Sequence, residues 1–310
     1  MKRLFRNTKG ELRLIWIWLI GIAVYCAINL VIGNLYKWVL FKALSLEGIV
    51  STGTMLMADL LLELPIIALT IIAFRALYRY LLDEPMCFKA RPLFIACGAV
   101  LAAITAAVLL LTAAGKLHIV RVTEQWGYDP GEYALATAVY APLSLLTTIA
   151  AAIFRYGFLC GSTFKRLNRR AALLVCLLIF GAYSVLNSSG EIIWKLNGVL
   201  TVALTLLALD IGGVGAGCGV PLGMLLGLGV IFGSPNSAYT LTRIIPMCVE
   251  ESLAPVVTDL LTGGNAGAWG GLWLTCVLAL LIVIALLCHA RVRERLREWT
   301  RRVIASGGMG

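Results

Sequence analysis

The chain has 310 residues, of which 60% are hydrophobic and only 14% charged, with a formal net charge of +10 and a mean hydropathy of +0.92. A soluble domain averages roughly 45 to 50% apolar and about 25% charged residues, so this composition excludes one. The positive charge sits beside the ends of apolar runs, where anionic headgroups meet it, and nucleic acid is not the expected partner.

Hydrocarbon offers no partner to an unpaired backbone group, so a chain crosses its roughly 30 Å as helices of about 20 apolar residues or as a closed barrel. The apolar runs here are long and do not alternate, which predicts an all-α, polytopic membrane protein of about eight transmembrane helices. In chain order they are 14 to 33, 56 to 74, 93 to 114, 134 to 158, 171 to 188, 197 to 212, 214 to 232 and 268 to 288. A single integral membrane domain, 1–310, is expected, ending in a basic tail over 289–310. The first run is too long for the core of a cleavable signal and has no small-residue cleavage pattern, so it is expected to serve as its own insertion signal.

Assigned to alternate sides of these spans, the 26 Lys and Arg divide 20 against 6. The larger group comprises the N-terminus, the segment after the second span, the fourth loop (Arg155, Lys165, Arg166, Arg169 and Arg170) and the tail. The positive-inside rule then places both termini in the cytoplasm of a multi-pass cell-membrane protein in contact with membrane lipids.

The second span carries Asp59 and Glu63 four residues apart, hence on one helical face. Acids inside a bilayer are costly and point to function by default, but both lie near the outer end of their helix, where headgroups solvate them, and a structural interfacial role is preferred. The loop 115–133 holds His118 and Glu124 with nothing to bring them together. His118 and His289 fall on opposite faces, and the nine cysteines are scattered without a CxxC pair. No disulfide framework, metal site or cofactor is expected, and the cysteines read as small packing residues. In the seventh span Gly215, Gly219, Gly223 and Gly227 recur every fourth residue, which bares one face for close approach of another helix, and Pro221 interrupts its middle. The pair Glu250 and Glu251 lies in an outer segment, away from the basic residues of the fourth loop.

Five short motifs recur in one order. Asn7, Gly10, Glu11, Leu12, Arg13 and Trp16 precede the first span; Ala150, Ala151, Phe154 and Arg155 end the fourth; Phe180, Gly181, Ser184 and Asn187 end the fifth. Pro221 and Leu225 in the seventh are followed by Phe232, Gly233, Pro235, Ser237 and Ala238, and Leu261 to Gly264 form an LTGG turn. In this order they resemble the CAAX protease and bacteriocin-processing family of intramembrane proteases, the likeness running nearly end to end with a core at about 134–288. That family writes the second of these motifs EExxFRG, the third FGLxH with a nearby Asn, and the fourth HxxxN followed by FGxPxSG. Here Ala150 and Ala151 stand for the glutamates, Ser184 for the first histidine, Pro221 for the second and Leu225 for the asparagine, while Arg155, Phe180 and Asn187 are kept.

In active members, the resemblance implies, a glutamate activates water while histidines and asparagine stabilise the oxyanion. Such chemistry needs a group that titrates near working pH and donors aimed at developing charge, and Ala, Ser, Pro and Leu supply neither. The expectation is therefore an inactive pseudoprotease that binds a hydrophobic or lipidated peptide in the old cavity, or a partner membrane protein along the glycine-rich helix. Two alternatives stand beside it: an endopeptidase of the same family with rearranged residues drawing on Asp59 or Glu63, and a transporter or channel subunit, against which the scarcity of intramembrane charge and the lack of an inverted repeat argue. Arg155, on this reading, faces the cytoplasmic interface with Lys165 and Arg166.

Overall fold

A computed structural model of the chain describes residues 11–43, 52–119, 130–187, 192–232, 247–248, 261 and 269–307. Among these the architecture is all-helical apart from one two-residue antiparallel pairing, β1 (His118–Ile119) with β2 (Met247–Cys248), in which His118 opposes Cys248. Seven helical stretches are long and apolar enough to cross a membrane, and the chain is a helical membrane protein.

In order these are α1 (Leu14–Tyr36), α2 (Thr52–Leu82), α3 (Ala90–Ala113), α4 (Ala138–Arg166), α5 (Arg169–Asn187), a 40-residue stretch Ile192–Ile231, and α8 (Leu272–Gly307). A straight helix of that sixth length would run about 60 Å, twice the hydrocarbon. It does not run straight. Gly213 adopts φ 74°, ψ −166°, backbone angles that an L side chain rarely takes, and the chain reverses there. A Cβ on Gly217 would fall 3.1 Å from the Cβ of Leu209, whereas eight residues along a continuous helix would separate them by about 12 Å. The stretch is a hairpin of two arms, α6 (192–212) and α7 (214–231), so the described residues hold eight apolar helices.

The expected span ends differ in a consistent direction. α2 continues to Leu82, carrying Arg75 and Arg79 within the helix, and α4 continues past 158 to Arg166. Long basic side chains reach from a helix toward headgroups, so a helix outlasts its apolar run. α2 also passes through Pro65 without a break. Asn168 starts α5 by accepting the backbone N–H of Ala171 on its side-chain oxygen at 2.9 Å. Gly115, at φ 66°, follows the end of α3, where the N–H of Lys116 returns to the Leu111 carbonyl at 2.9 Å.

Packing centres on the hairpin. The glycine ridge of α7 lies against α3: a Cβ at Gly223 would come 2.7 Å from the Cys97 carbonyl oxygen, and one at Gly227 2.8 Å from the Ile104 side chain, with Gly215 and Gly219 meeting the backbone at Lys89 and Leu93. The bared face is thus used, but by a helix of the same chain: α3 already covers the surface expected to meet a partner protein. On the other side of the bundle an aromatic ladder joins α1, α2 and α4. Tyr25 stacks on Phe154 at 4.2 Å and 7°, Phe74 follows at 4.8 Å from Phe154, and Phe158 lies 5.3 Å from Phe74. Aromatic pairs of this kind add about 0.5 to 1.5 kcal/mol each beyond area burial.

Candidate functional site

α4 is widened into π-helix over Ile153–Cys160, a departure that concentrates at functional positions. Phe154 is held in the aromatic ladder, which turns its neighbour Arg155 the other way. Arg155 faces a cavity of about 330 Å³ walled by Arg155 and Tyr156 of α4, Phe180, Tyr183, Ser184 and Asn187 of α5, Trp194, Gly198, Thr201 and Val202 of α6, Pro221 of α7, and Trp269. The volume lies within the range of small-molecule sites, about 300 to 1,000 Å³.

Its geometry is specific. The Arg155 guanidinium carbon lies 5.4 Å from the centre of the Tyr183 ring, within the reach of a cation–π contact. Asn187 donates its amide to the Tyr183 hydroxyl at 3.1 Å. Gly198 leaves room for the Ser184 hydroxyl, which a Cβ there would strike. Asn197, fully buried, donates to the carbonyls of Trp269 at 2.8 Å and Gly271 at 3.2 Å and accepts from Thr275 at 2.7 Å. That buried network pins α6 to the start of α8 and so places Trp269 in the wall.

Of the motif positions, Arg155, Phe180, Ser184, Asn187 and Pro221 come together in this wall. Ala150 does not: it is buried with Ile67 and Leu143 against α2. Ala151 is half-buried and outside the wall, because the widened turn beginning at Ile153 shifts the four-residue register that would otherwise align it with Arg155. Leu225 begins a second π segment, Leu225–Ile231, and turns toward Gly229. Among the described residues no carboxylate lines the cavity. Glu63 is elsewhere, and the Asp59 side chain, Glu124, Gly233 to Ala238, Glu250, Glu251 and Thr262 to Gly264 lie outside the described residues.

Arg155 itself is displaced from expectation. Lys165 pairs with Glu84 and Arg166 with Glu11 at one end of the bundle, and the helix puts Arg155 eleven residues, about 16 Å, further in. It lies within a helical stretch long and apolar enough to cross a membrane and not in a loop, which still leaves the asymmetry of the remaining basic residues intact.

The same basic end holds a polar cluster that the sequence does not announce. Arg169 donates to both carboxylate oxygens of Asp210 at 2.5 Å, and the His289 ring lies 3.2 Å from the guanidinium and 4.0 Å from the carboxylate. A carboxylate and an imidazole therefore meet, but at the turn end of the hairpin. They are remote from the cavity, whose deepest α6 residue, Val202, stands eight residues or about 12 Å before Asp210. With Asp210 clamped by a two-pronged guanidinium, the trio closes α5, α6 and α8 together and is a structural joint. Its members come from three different helices: Arg169 begins α5, Asp210 lies near the end of α6 and His289 sits midway along α8.

A second cavity, about 440 Å³ with an almost wholly apolar wall, lies between α3, the hairpin and α8. Eight cysteines are free among the described residues, and no group of three metal-ligating side chains occurs among them. No protein-family model matches this chain, and neither a curated protein nor a solved structure does.

Proposed function

We propose that this is a catalytically inert intramembrane protein of the CAAX protease and bacteriocin-processing type, which binds a hydrophobic or lipidated peptide in the Arg155 cavity and does not cleave it. The observation that carries the reading is the convergence of Arg155, Phe180, Ser184, Asn187 and Pro221, drawn from three motifs up to 66 residues apart, on one cavity. Chance apolar likenesses scattered over three helices have no reason to share a wall. A wall of Arg, Ser, Pro and aromatic rings binds but holds no base to activate water. In this reading the basic end faces the cytoplasm with both termini, and the cavity belongs to the opposite half of the bilayer. A partner membrane protein is the second form of the same binding role, and with the glycine ridge covered by α3 it would use another face.

The test is capture and cleavage in membranes with a photoreactive apolar or lipidated peptide. Wild-type protein is expected to take the label without producing fragments, and Thr201→Phe, which fills the cavity, to lose it. Fragments from wild type that vanish in the Asp59→Ala, Glu63→Ala double variant would replace the inert reading by an active protease with rearranged residues.

A further inference from the structure

We infer that the Arg155 cavity holds the phosphate headgroup of an anionic membrane lipid, which enters sideways past Tyr183. This rests on the cavity being a ligand site, as proposed above, and adds what that ligand must carry.

A charged side chain within a bilayer is retained only against a counter-charge, a dipole or water. Arg169, Arg166 and Lys165 each have a carboxylate. Among the described residues Arg155 has none; the Tyr183 ring lies against it. A ring face covers one side of the guanidinium and leaves its N–H edge without an acceptor among the described residues. Phosphate suits that edge, since the planar fork binds two of its oxygens at once, and Ser184 and Trp194 bring further donors to the same wall.

The position of the mouth selects a lipid. Tyr183 lines the cavity and is also 49% exposed, so the cavity wall reaches the side of the bundle there. Tyr183 stands four residues, about 6 Å, before the end of α5, and Trp194 lies in the first turn of α6. That is headgroup depth, where Tyr and Trp concentrate in membrane proteins. Leu186 and Ile192, 85% and 82% exposed beside the mouth, offer an apolar surface for acyl chains. A lipid diffusing in that leaflet reaches Arg155 without leaving the membrane.

Native mass spectrometry of the whole chain released from micelles holding equal phosphatidylglycerol and phosphatidylcholine reads the preference. One phosphatidylglycerol adduct is expected, favoured by at least about 10-fold, the equivalent of a single charge-assisted hydrogen bond. Arg155→Gln should abolish the preference, Arg155→Lys should keep part of it, and Arg79→Gln, an exposed arginine on α2, should leave it intact. Equal adducts of the two lipids, or the same loss in Arg79→Gln, overturn the inference. If an apolar tripeptide with a free carboxylate then binds in an Arg155-dependent manner, the lipid was the wrong occupant and the peptide-binding reading stands; if neither binds, both fall. Should Arg155→Gln not fold, photocrosslinking a diazirine-bearing phosphatidylglycerol to wild type decides: label confined to the last turn of α5 from Tyr183 and the first turn of α6 is expected, and label spread evenly over the helices refutes the site.

Discussion

Arg155 and Arg169 stand fourteen residues apart in sequence and are treated oppositely by the fold. Arg169 is gripped by Asp210 with two hydrogen bonds, and His289 closes over the pair. Arg155 faces open volume with a tyrosine ring for company. A charge satisfied from within the chain fastens helices, whereas a charge left to face a cavity awaits something from outside. On the proposed reading, the contrast separates a structural cluster from a binding site without appeal to any relative.

That contrast can be broken or sharpened by four substitutions, read as thermal unfolding midpoints in detergent. Gly223→Leu should be the most damaging, because even its Cβ would press on the Cys97 carbonyl oxygen at 2.7 Å and the rest of the side chain has nowhere to go; overpacking costs typically 1 to 3 kcal/mol or more, and loss of monodisperse protein is the expected result. Asp210→Asn leaves Arg169 without its counter-charge. Truncating a fully buried pair costs about 3 to 5 kcal/mol, but Arg169 is 40% exposed and solvent screening reduces the loss to about 2 kcal/mol. A midpoint unmoved by Asp210→Asn would deny the joint and with it half of the comparison. Asn197→Leu strands the carbonyls of Trp269 and Gly271 and should cost about 1 to 3 kcal/mol, together with any probe bound against Trp269. Arg155→Gln in phosphatidylcholine alone should change stability least, within about 0.5 kcal/mol, since among the described residues no carboxylate is left behind. A large loss there would mean that Arg155 is itself a fastener.

The membrane class, the helix count and the glycine ridge are all legible in the sequence, because each depends on composition or on a local period. Gly215, Gly219, Gly223 and Gly227 announce a close approach whatever helix fills it; that the filler is α3 requires the fold. The Arg169, Asp210 and His289 joint could not be read, since its members are 41 and 120 residues apart and each alone resembles an ordinary helix-end residue. Arg155 lies inside the expected span 134–158, but the helix continues for three turns beyond it, and an apolar window that closes at 158 does not show how far Arg155 stands from Lys165 and Arg166. Ala150, Ala151 and Leu225 stand outside the cavity wall beside π-helical turns, a change from α-helix with no simple signature in side-chain type. Asn197 carried a signal, a lone amide in an apolar run, although its acceptors are backbone groups that no sequence displays.

The reversal at Gly213 has a consequence for biogenesis. α6 and α7 are joined by a single residue and share no hydrophilic connector, so neither can be threaded and released separately by the insertion machinery; they must enter the lipid as one folded-back unit, with their direction dictated by the helices on either side. The nearest charge to that bend is the negative Asp210, which contributes little to topology by itself, and α5 must already be in place to deliver the arginine that neutralises it. Nascent chains carrying an alanine in place of Arg169 should therefore stall at this step of assembly ahead of any defect visible in the finished protein.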